Sequence, residues 1–404
     1  MIILVLFWGS IALLFYIYVL FPAMVFIQGR FGQRPFSRAE ITPKVSVLIA
    51  AHNEIANIET RILNLLDQDY PSEQVEVIIA SDGSTDGTND VVRHYQSQGV
   101  SLLDLQRQGK IPALNQAAEA AHGEILVFSD ANTIFAQDAL RALVRPFADP
   151  KVGGVAGNQY YLKEKQANGI SAGEQSYWKF DRMMKHSQSR AGNVISATGS
   201  IYAVRRSLFQ PIPSGVTDDF VVSTQVIAQG YRLVFASDAF AYEPVAAGGK
   251  VEFGRKVRIT TQGLRAVLVM RRLLNPFRYG FYAIQLFSHK VLRRLAVFPL
   301  IIVFFSAALL WNHGWLYQAA FLGQTAFYTC AALGFLLRNT RFGKVKVFTL
   351  PMFFCMIYAA SLLATANILR GKQIERWVPQ RTAVSQTQFE SGASWKVQSK
   401  QRIS

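Results

Sequence analysis

One strand-like run that stops abruptly in small polar residues sets the terms for this chain. Residues 75–88 read VEVIIASDGSTDGT. Val75, Val77, Ile78 and Ile79 give the first half the composition of a buried parallel strand. The second half forms turns, so the strand ends in a loop at its C-terminal edge, where ligands sit in open α/β sheets. Asp82 is thereby held just past a rigid element, beside a glycine that lets a ligand approach closely. Taken alone, this could be a plain β-turn with a capping acid, but the arrangement recurs along the chain.

Residues 45–51 (VSVLIAA) read as a first strand, followed by His52-Asn53-Glu54. Residues 55–67 have helical spacing, with Ile58, Ile62, Leu65 and Leu66 on one stripe. A strand over 101–105 and a helix over 112–121 follow, then a short strand, 125–128, ending in Ser129-Asp130-Ala131-Asn132. Further on come a helix (136–147), a strand (152–162), a helix (171–187) and a strand (201–204) entered through Ala197-Thr198-Gly199-Ser200. Thr217-Asp218-Asp219-Phe220 opens another helix, to about Gln229, with Thr217 as its N-cap and two acids in its first turn. A last strand spans 232–242 and ends at Glu243-Pro244. Strands alternating with helices in this way predict an α/β fold with a doubly wound, mixed but mainly parallel sheet.

Half of the 404 residues are hydrophobic, yet the formal net charge is +16. That combination suits a protein in or on an anionic bilayer. Residues 1–29 carry no charge, and Arg30, Arg34, Arg38 and Lys44 follow. The stretch exceeds the roughly 20 residues that span a bilayer. A cleaved signal peptide would need a basic start and a small-residue cleavage site, so a retained transmembrane helix with a cytoplasmic domain after it is expected. From Phe253, Arg255, Lys256, Arg258, Arg265, Arg271 and Arg272 interleave with apolar residues, the pattern of a helix lying on a membrane surface. Residues 295–337 are uncharged and divide at Asn312-His313-Gly314 into two expected crossings, 295–311 and 315–337; a third follows at 347–369. The expected divisions are therefore a transmembrane helix (1–29), a cytoplasmic domain (30–250), interfacial helices (251–294), transmembrane helices (295–369) and a polar tail (370–404), disordered beyond about Ser385. Four crossings would put the tail outside, whereas Arg370, Lys372, Arg376 and Arg381 argue for inside, so either one apolar stretch is a re-entrant hairpin or the charge rule fails. Basic residues crowd beside apolar runs instead of forming a separate stripe, which argues against nucleic acid. Cys330 and Cys355 lie in apolar stretches and imply neither a disulfide framework nor a metal site.

Glu54, Asp82, Asp130 and Asp219, with Asp218 beside the last, all fall just beyond strands or at a helix start. Convergent carboxylates repel unless a cation joins them. A hard divalent ion with oxygen ligands does so, and often bridges nucleotide phosphates. Asp130 and Asn132, two apart on an extended segment, could face one ion. Lys110 and the arginines near 255 could meet phosphate charge. Neither a Walker-type loop nor a dinucleotide glycine fingerprint is present, which leaves a nucleotide held by acids and metal. An acid in a helix's first turn can serve as general base towards a hydroxyl.

SVLIAAHNE, SDGSTDGT, GK-IPALN, SDANT, ATGSIYAVRR and TDDF, in that order over residues 45–263, resemble the membrane-bound family 2 glycosyltransferases, among them cellulose, chitin, hyaluronan and poly-N-acetylglucosamine synthases. The resemblance implies a GT-A type nucleotide-sugar-binding domain on the cytoplasmic face of the cell membrane. It implies that Glu54 and Asp82 hold the uridine part of a UDP-sugar, that Asp130 and Asn132 form the pair for Mg²⁺ or Mn²⁺, and that Asp219 deprotonates an acceptor hydroxyl, with inversion at the anomeric carbon. Gly199, Asp218, Lys110, Arg255 and Arg258 fall within or beside these motifs as expected substrate contacts. Processive members carry Gln-x-x-Arg-Trp on the interfacial helix. Here the segment is Arg255-Lys256-Val257-Arg258-Ile259, which keeps the arginine and replaces the glutamine and the tryptophan. Addition of one or a few sugars to a saccharide or lipid-linked acceptor is therefore expected; a processive synthase and an inactive sugar-nucleotide-sensing scaffold are the alternatives.

Several positions have plainer readings. Asp86 suits a turn, and Asp218 a helix cap. Trp178 suits a core or interface as well as an acceptor site. Arg255 and Arg258 could be snorkelling cations, and Lys110 a solvated loop residue.

Overall fold

The computed structural model describes residues 1–162, 170–244, 249–338 and 340–372. The polar tail from residue 373 and the side chain of Trp178 lie outside the described set.

Eight strands form one mixed sheet, β1 Val45–Ala51, β2 Val75–Asp82, β3 Val100–Leu105, β4 Ile125–Phe128, β5 Ile134–Phe135, β6 Val152–Leu162, β7 Tyr202–Arg205 and β8 Arg232–Pro244, in the order β3-β2-β1-β4-β7-β6-β8-β5. The helices used below are α1 Ile2–Phe15, α2 Phe21–Phe31, α3 Ile58–Leu66, α4 Thr88–His94, α5 Lys110–Glu119, α6 Ala139–Val144, α7 Ile170–Ala191, α8 Asp218–Ala228 and α9 Gly249–Val269. The parallel block β3-β2-β1-β4 matches the reading of the sequence. Beyond it β7 runs antiparallel to both β4 and β6, β8 runs parallel to β6, and β5 caps the edge antiparallel to β8. The sheet is thus more evenly mixed than expected.

The central strands are mostly apolar because both faces are covered. Alternate residues serve the two sides: Leu48, Ala50, Ile78 and Phe128 pack toward α5 and α8. Val47, Ile49, Val77 and Val127 pack toward α3 and α6. On α3 the expected stripe is borne out for Ile58, Ile62 and Leu65, each at most 2 % exposed, whereas Leu66 at 36 % is not part of it. Burial of each such side chain stabilises the fold by about 1.5–3 kcal/mol.

Register positions the functional end. Ala51 pairs with Ser81 across β1 and β2, and Leu48 with Phe128 across β1 and β4. The residues after β1 and β4 therefore emerge beside the last residue of β2, on one sheet end, at the point where strand order reverses. Thr217 holds the N-cap position of α8 as expected but forms no side-chain cap. The amide of Phe220, a usual N-cap partner, instead donates to Asp219 Oδ1 at 2.8 Å.

Among the described residues, three helices are long and apolar enough to cross a membrane: Ile2–Phe31, Trp315–Leu336 and Lys346–Leu369. The expected crossing over 295–311 is instead a 13-residue helix, Val297–Leu309. At 1.5 Å per residue it covers about 20 Å of a bilayer core about 30 Å thick. It reaches spanning length only together with Phe281–Leu295, from which it is bent by 50°.

Candidate active site

A cavity of about 330 Å³ opens at the C-terminal ends of the parallel strands. Glu54, Lys110, Asp130 and Asn132 line it, together with Gly199, Asp218 and Asp219. Arg255 and Arg258 reach it from α9. Residues from six separate stretches of sequence therefore meet in one place.

Glu54 follows β1 on a loop stitched to the turn after β2. Asn53 adopts the left-handed region (φ 54°), which asparagine tolerates better than most residues. Its side chain accepts from the Thr85 amide at 2.8 Å, and the Glu54 amide donates to Thr88 Oγ1 at 2.9 Å. Asp86 accepts from Thr88 and from the Ile55 amide, which is the turn role its sequence context suggested. Glu54 itself is 6 % exposed and accepts from Asn57 Nδ2 at 2.9 Å.

Asp82 reaches the same sheet end but lies beneath the cavity wall. It is 1 % exposed, and its carboxylate accepts the backbone amides of Gln108 at 2.6 Å and Gly109 at 2.9 Å. It thus fixes the loop that leads into α5 and Lys110. Gly83 has φ 63°, and a Cβ there would meet the Arg107 backbone nitrogen at 3.0 Å, so the turn requires glycine. Asp82→Ala strands two backbone donors, and an expected loss of about 1–3 kcal/mol is measurable by chemical denaturation of the full chain.

Lys110 sits between two acids. Its Nζ donates to Asp130 Oδ1 at 2.8 Å and lies 3.3 Å from Asp218 Oδ2. Burial works against its charge, but Asp130 and Asp218 more than offset that and raise its pKa. Asp130 is held by the turn after β4, where Ser129 Oγ donates to the Ser200 carbonyl at 2.7 Å. A Cβ at position 199 would lie 3.5 Å from Asp130 Oδ2, so Gly199 leaves that flank of the acid open. Burial, then the neighbouring Asp218 charge, lifts the Asp219 pKa to about 6. Burial and Arg255 lower the Arg258 pKa, while Asp130 and Asp218 oppose them.

Glu243 was read only as a strand end, yet it lines the cavity. Its carboxylate accepts from Gln159 Nε2 at 2.6 Å and Thr133 Oγ1 at 3.2 Å. Burial and the Asp130 charge raise its pKa to about 7. The signal is present in the sequence, since Glu243 stands one residue before the end of β8 and Asp82 closes β2.

Asp130 and Asn132 offer the hard oxygen donors that Mg²⁺ and Mn²⁺ prefer. Among the described residues no group of three acidic, histidine or cysteine side chains converges as a self-sufficient metal cage. This donor set fits an ion that takes its remaining ligands from diphosphate and water, as Mg²⁺ commonly does.

The family described as glycosyl transferase family 2 matches residues 46–212, a span holding Glu54, Asp82, Lys110, Asp130, Asn132 and Gly199. Those residues form a family 2 glycosyl transferase domain. The poly-beta-1,6-N-acetyl-D-glucosamine synthase of Staphylococcus aureus (strain COL) is 30% identical over 228 residues, 54% of this chain and 53% of that protein. The enzyme of the same description from Staphylococcus epidermidis is 28% identical over 225 residues, 53% of each chain. This chain thus matches about half the length of these relatives. Among solved structures, the mannosyltransferase PcManGT from Pyrobaculum calidifontis, in complex with GDP-Man and Mn²⁺, aligns with a TM-score of 0.67 at 24% identity, covering 91% of this chain and 100% of that one. The glycosyl transferase domain therefore shares the mixed-sheet GT-A fold, and Asp218, Asp219, Glu243 and the α9 arginines reach its cavity from beyond the matched span.

Proposed function

We propose that this chain is an inverting glycosyltransferase that moves a sugar from a nucleotide donor, a UDP-sugar, to a saccharide or lipid-linked acceptor at a membrane. The observation that carries the reading is the convergence of Asp130, Asn132 and Asp219 on one cavity together with Lys110, Arg255 and Arg258. Residues 30–250 are the catalytic domain on the cytoplasmic side, 251–294 its interfacial helices, and 1–29 and 295–369 its membrane anchors. Three span-length apolar helices and the membrane-surface pattern of α9 support that division.

Asp219, ionised, accepts the proton of the acceptor hydroxyl as that oxygen bonds to the anomeric carbon. The bond from that carbon to the diphosphate oxygen breaks on the opposite face, inverting the centre. Lys110, Arg255 and Arg258 meet the charge that collects on the departing diphosphate. Asp130 and Asn132 would hold a divalent ion, which when bound supplies further neutralisation of that diphosphate. Glu54 contacts the nucleoside, and Asp82 serves it indirectly by fixing the Gln108–Gly109 loop.

Ile259 lines the cavity where processive enzymes place tryptophan, so an acceptor sugar lacks a ring to stack on at that position, which favours short products. The test is to incubate full-length protein in membranes with a panel of UDP-sugars and Mg²⁺ or Mn²⁺, scoring UDP release and product length. Release with one UDP-sugar and a product lengthened by one or a few units is expected. Long polymer would make the chain a processive synthase. No UDP release from any UDP-sugar with either metal would refute the UDP-sugar transferase reading and favour an inactive sugar-nucleotide-sensing scaffold.

A further inference from the structure

Arg61, on α3, is 0 % exposed and heads the largest fully buried side chains of the described residues. Its guanidinium lies 4.1 Å from the centroid of the Phe135 ring. Nη1 donates to Asn64 Oδ1 and Nη2 to Ser129 Oγ, both at 2.8 Å. Among the described residues no carboxylate lies within 4.0 Å of it. Burial lowers its pKa to about 9, with the Asp130 charge acting against that, so it remains cationic at neutral pH. Burying a charge that has no carboxylate partner costs the fold desolvation energy that an apolar residue of similar volume would not incur. Core packing therefore does not account for an arginine here.

The hydrogen bonds indicate what does. The turn carrying Asp130 and Asn132 begins at Ser129 and ends at Phe135. Arg61 grips its start through Ser129 Oγ, which in turn donates to the Ser200 carbonyl at 2.7 Å, next to Gly199. Asn64 grips its end twice, donating from Nδ2 to the Phe135 carbonyl at 2.9 Å and accepting the Phe135 amide at 2.8 Å. Arg61 and Asn64 are three apart on one helix face and are bonded to each other. One turn of α3 therefore clamps both ends of the segment that carries the two expected metal donors.

We infer that Arg61 is a positioning residue: with Asn64 it holds the Ser129–Phe135 turn so that Asp130 and Asn132 face the cavity together. This rests on the proposed function for its purpose, but the clamp is testable without it. Full-length protein in detergent is compared with Arg61→Met and Arg61→Lys. Hydrogen exchange of the amides at 130–135 is measured without any ligand, and UDP binding is measured by calorimetry with and without Mn²⁺. In Arg61→Met, exchange in that turn speeds up by about tenfold or more while β1 and β2 keep their protection. Outer-shell residues of metal sites typically affect affinity by about 10–100-fold, so UDP–Mn²⁺ binding weakens by about tenfold, whereas metal-free UDP binding is unchanged. In turnover the donor KM rises more than kcat falls. Lysine keeps the charge but lacks the planar fork needed to hold Asn64 and Ser129 at once, so Arg61→Lys is intermediate in both readouts.

A folded Arg61→Met protein with wild-type exchange in the turn and wild-type UDP–Mn²⁺ affinity overturns the inference. If Arg61→Met does not fold, Arg61→Lys decides alone, and wild-type exchange there overturns it equally. If the wild-type chain binds no UDP with Mn²⁺, the proposed function fails while the exchange comparison still decides the clamp.

Discussion

Asp219→Asn lowers sugar transfer by about 10²–10⁴-fold, the range typical of a lost general base, while UDP binding stays within about threefold of wild type. The substitution keeps the shape of the side chain and an oxygen to accept the Phe220 amide, so the first turn of α8 stays intact. What disappears is a proton acceptor whose pKa burial and Asp218 have raised to about 6. As the base proposed above, Asp219 would work in its ionised form, so wild-type activity is expected to rise as pH increases through about 6 and to fall away below it. The residual activity of Asp219→Asn lacks that limb. Initial rates of UDP release between pH 5 and pH 8, on full-length protein, read both effects. Asp218→Asn is the control: it removes a charge 3.3 Å from Lys110 and so alters donor affinity, and the limb persists but moves to lower pH, because the Asp218 charge helps to raise the Asp219 pKa. An unchanged rate in Asp219→Asn would remove Asp219 from the chemistry.

Asp130→Ala has the second large effect, a fall in kcat/KM of about 10²-fold or more, expressed mainly in the divalent-ion dependence. Two functions go together. The carboxylate that pairs with Lys110 at 2.8 Å is lost, and so is the charged member of the Asp130–Asn132 pair. Raising Mn²⁺ restores little, because Asn132 alone offers a neutral oxygen. Titrating Mn²⁺ at fixed UDP-sugar, with UDP binding followed by calorimetry, separates this from a folding defect. Wild-type metal dependence in Asp130→Ala would place the metal elsewhere.

The strands β1 and β4 were legible to the residue, because strands covered on both faces must be apolar throughout and their ends are marked by polar turns. The cavity acids were legible because parallel register carries strand ends to one edge. Three features were not. β5 is two residues long, too short to show any period. Arg61 stands on the buried face of α3, where a charged residue within a helical pattern reads as solvent-facing. The burial of Asp82 under the Gln108–Gly109 loop depends on contacts between segments 26 residues apart, which no local pattern encodes. The stretch 295–311 differs for another reason: hydropathy reports an apolar run, but not that its helix ends at Leu309 after 13 residues and is bent by 50° from Phe281–Leu295.

The ammonium of Lys110 touches Asp130 and stands close to Asp218. Mutual repulsion between those acids is thereby quenched from within by a cation of the chain itself. On the proposed reading, a divalent ion would have to compete with that tethered one. A diphosphate that draws the lysine toward itself would unmask Asp130 at the same moment, so nucleotide and metal would be taken up as a pair.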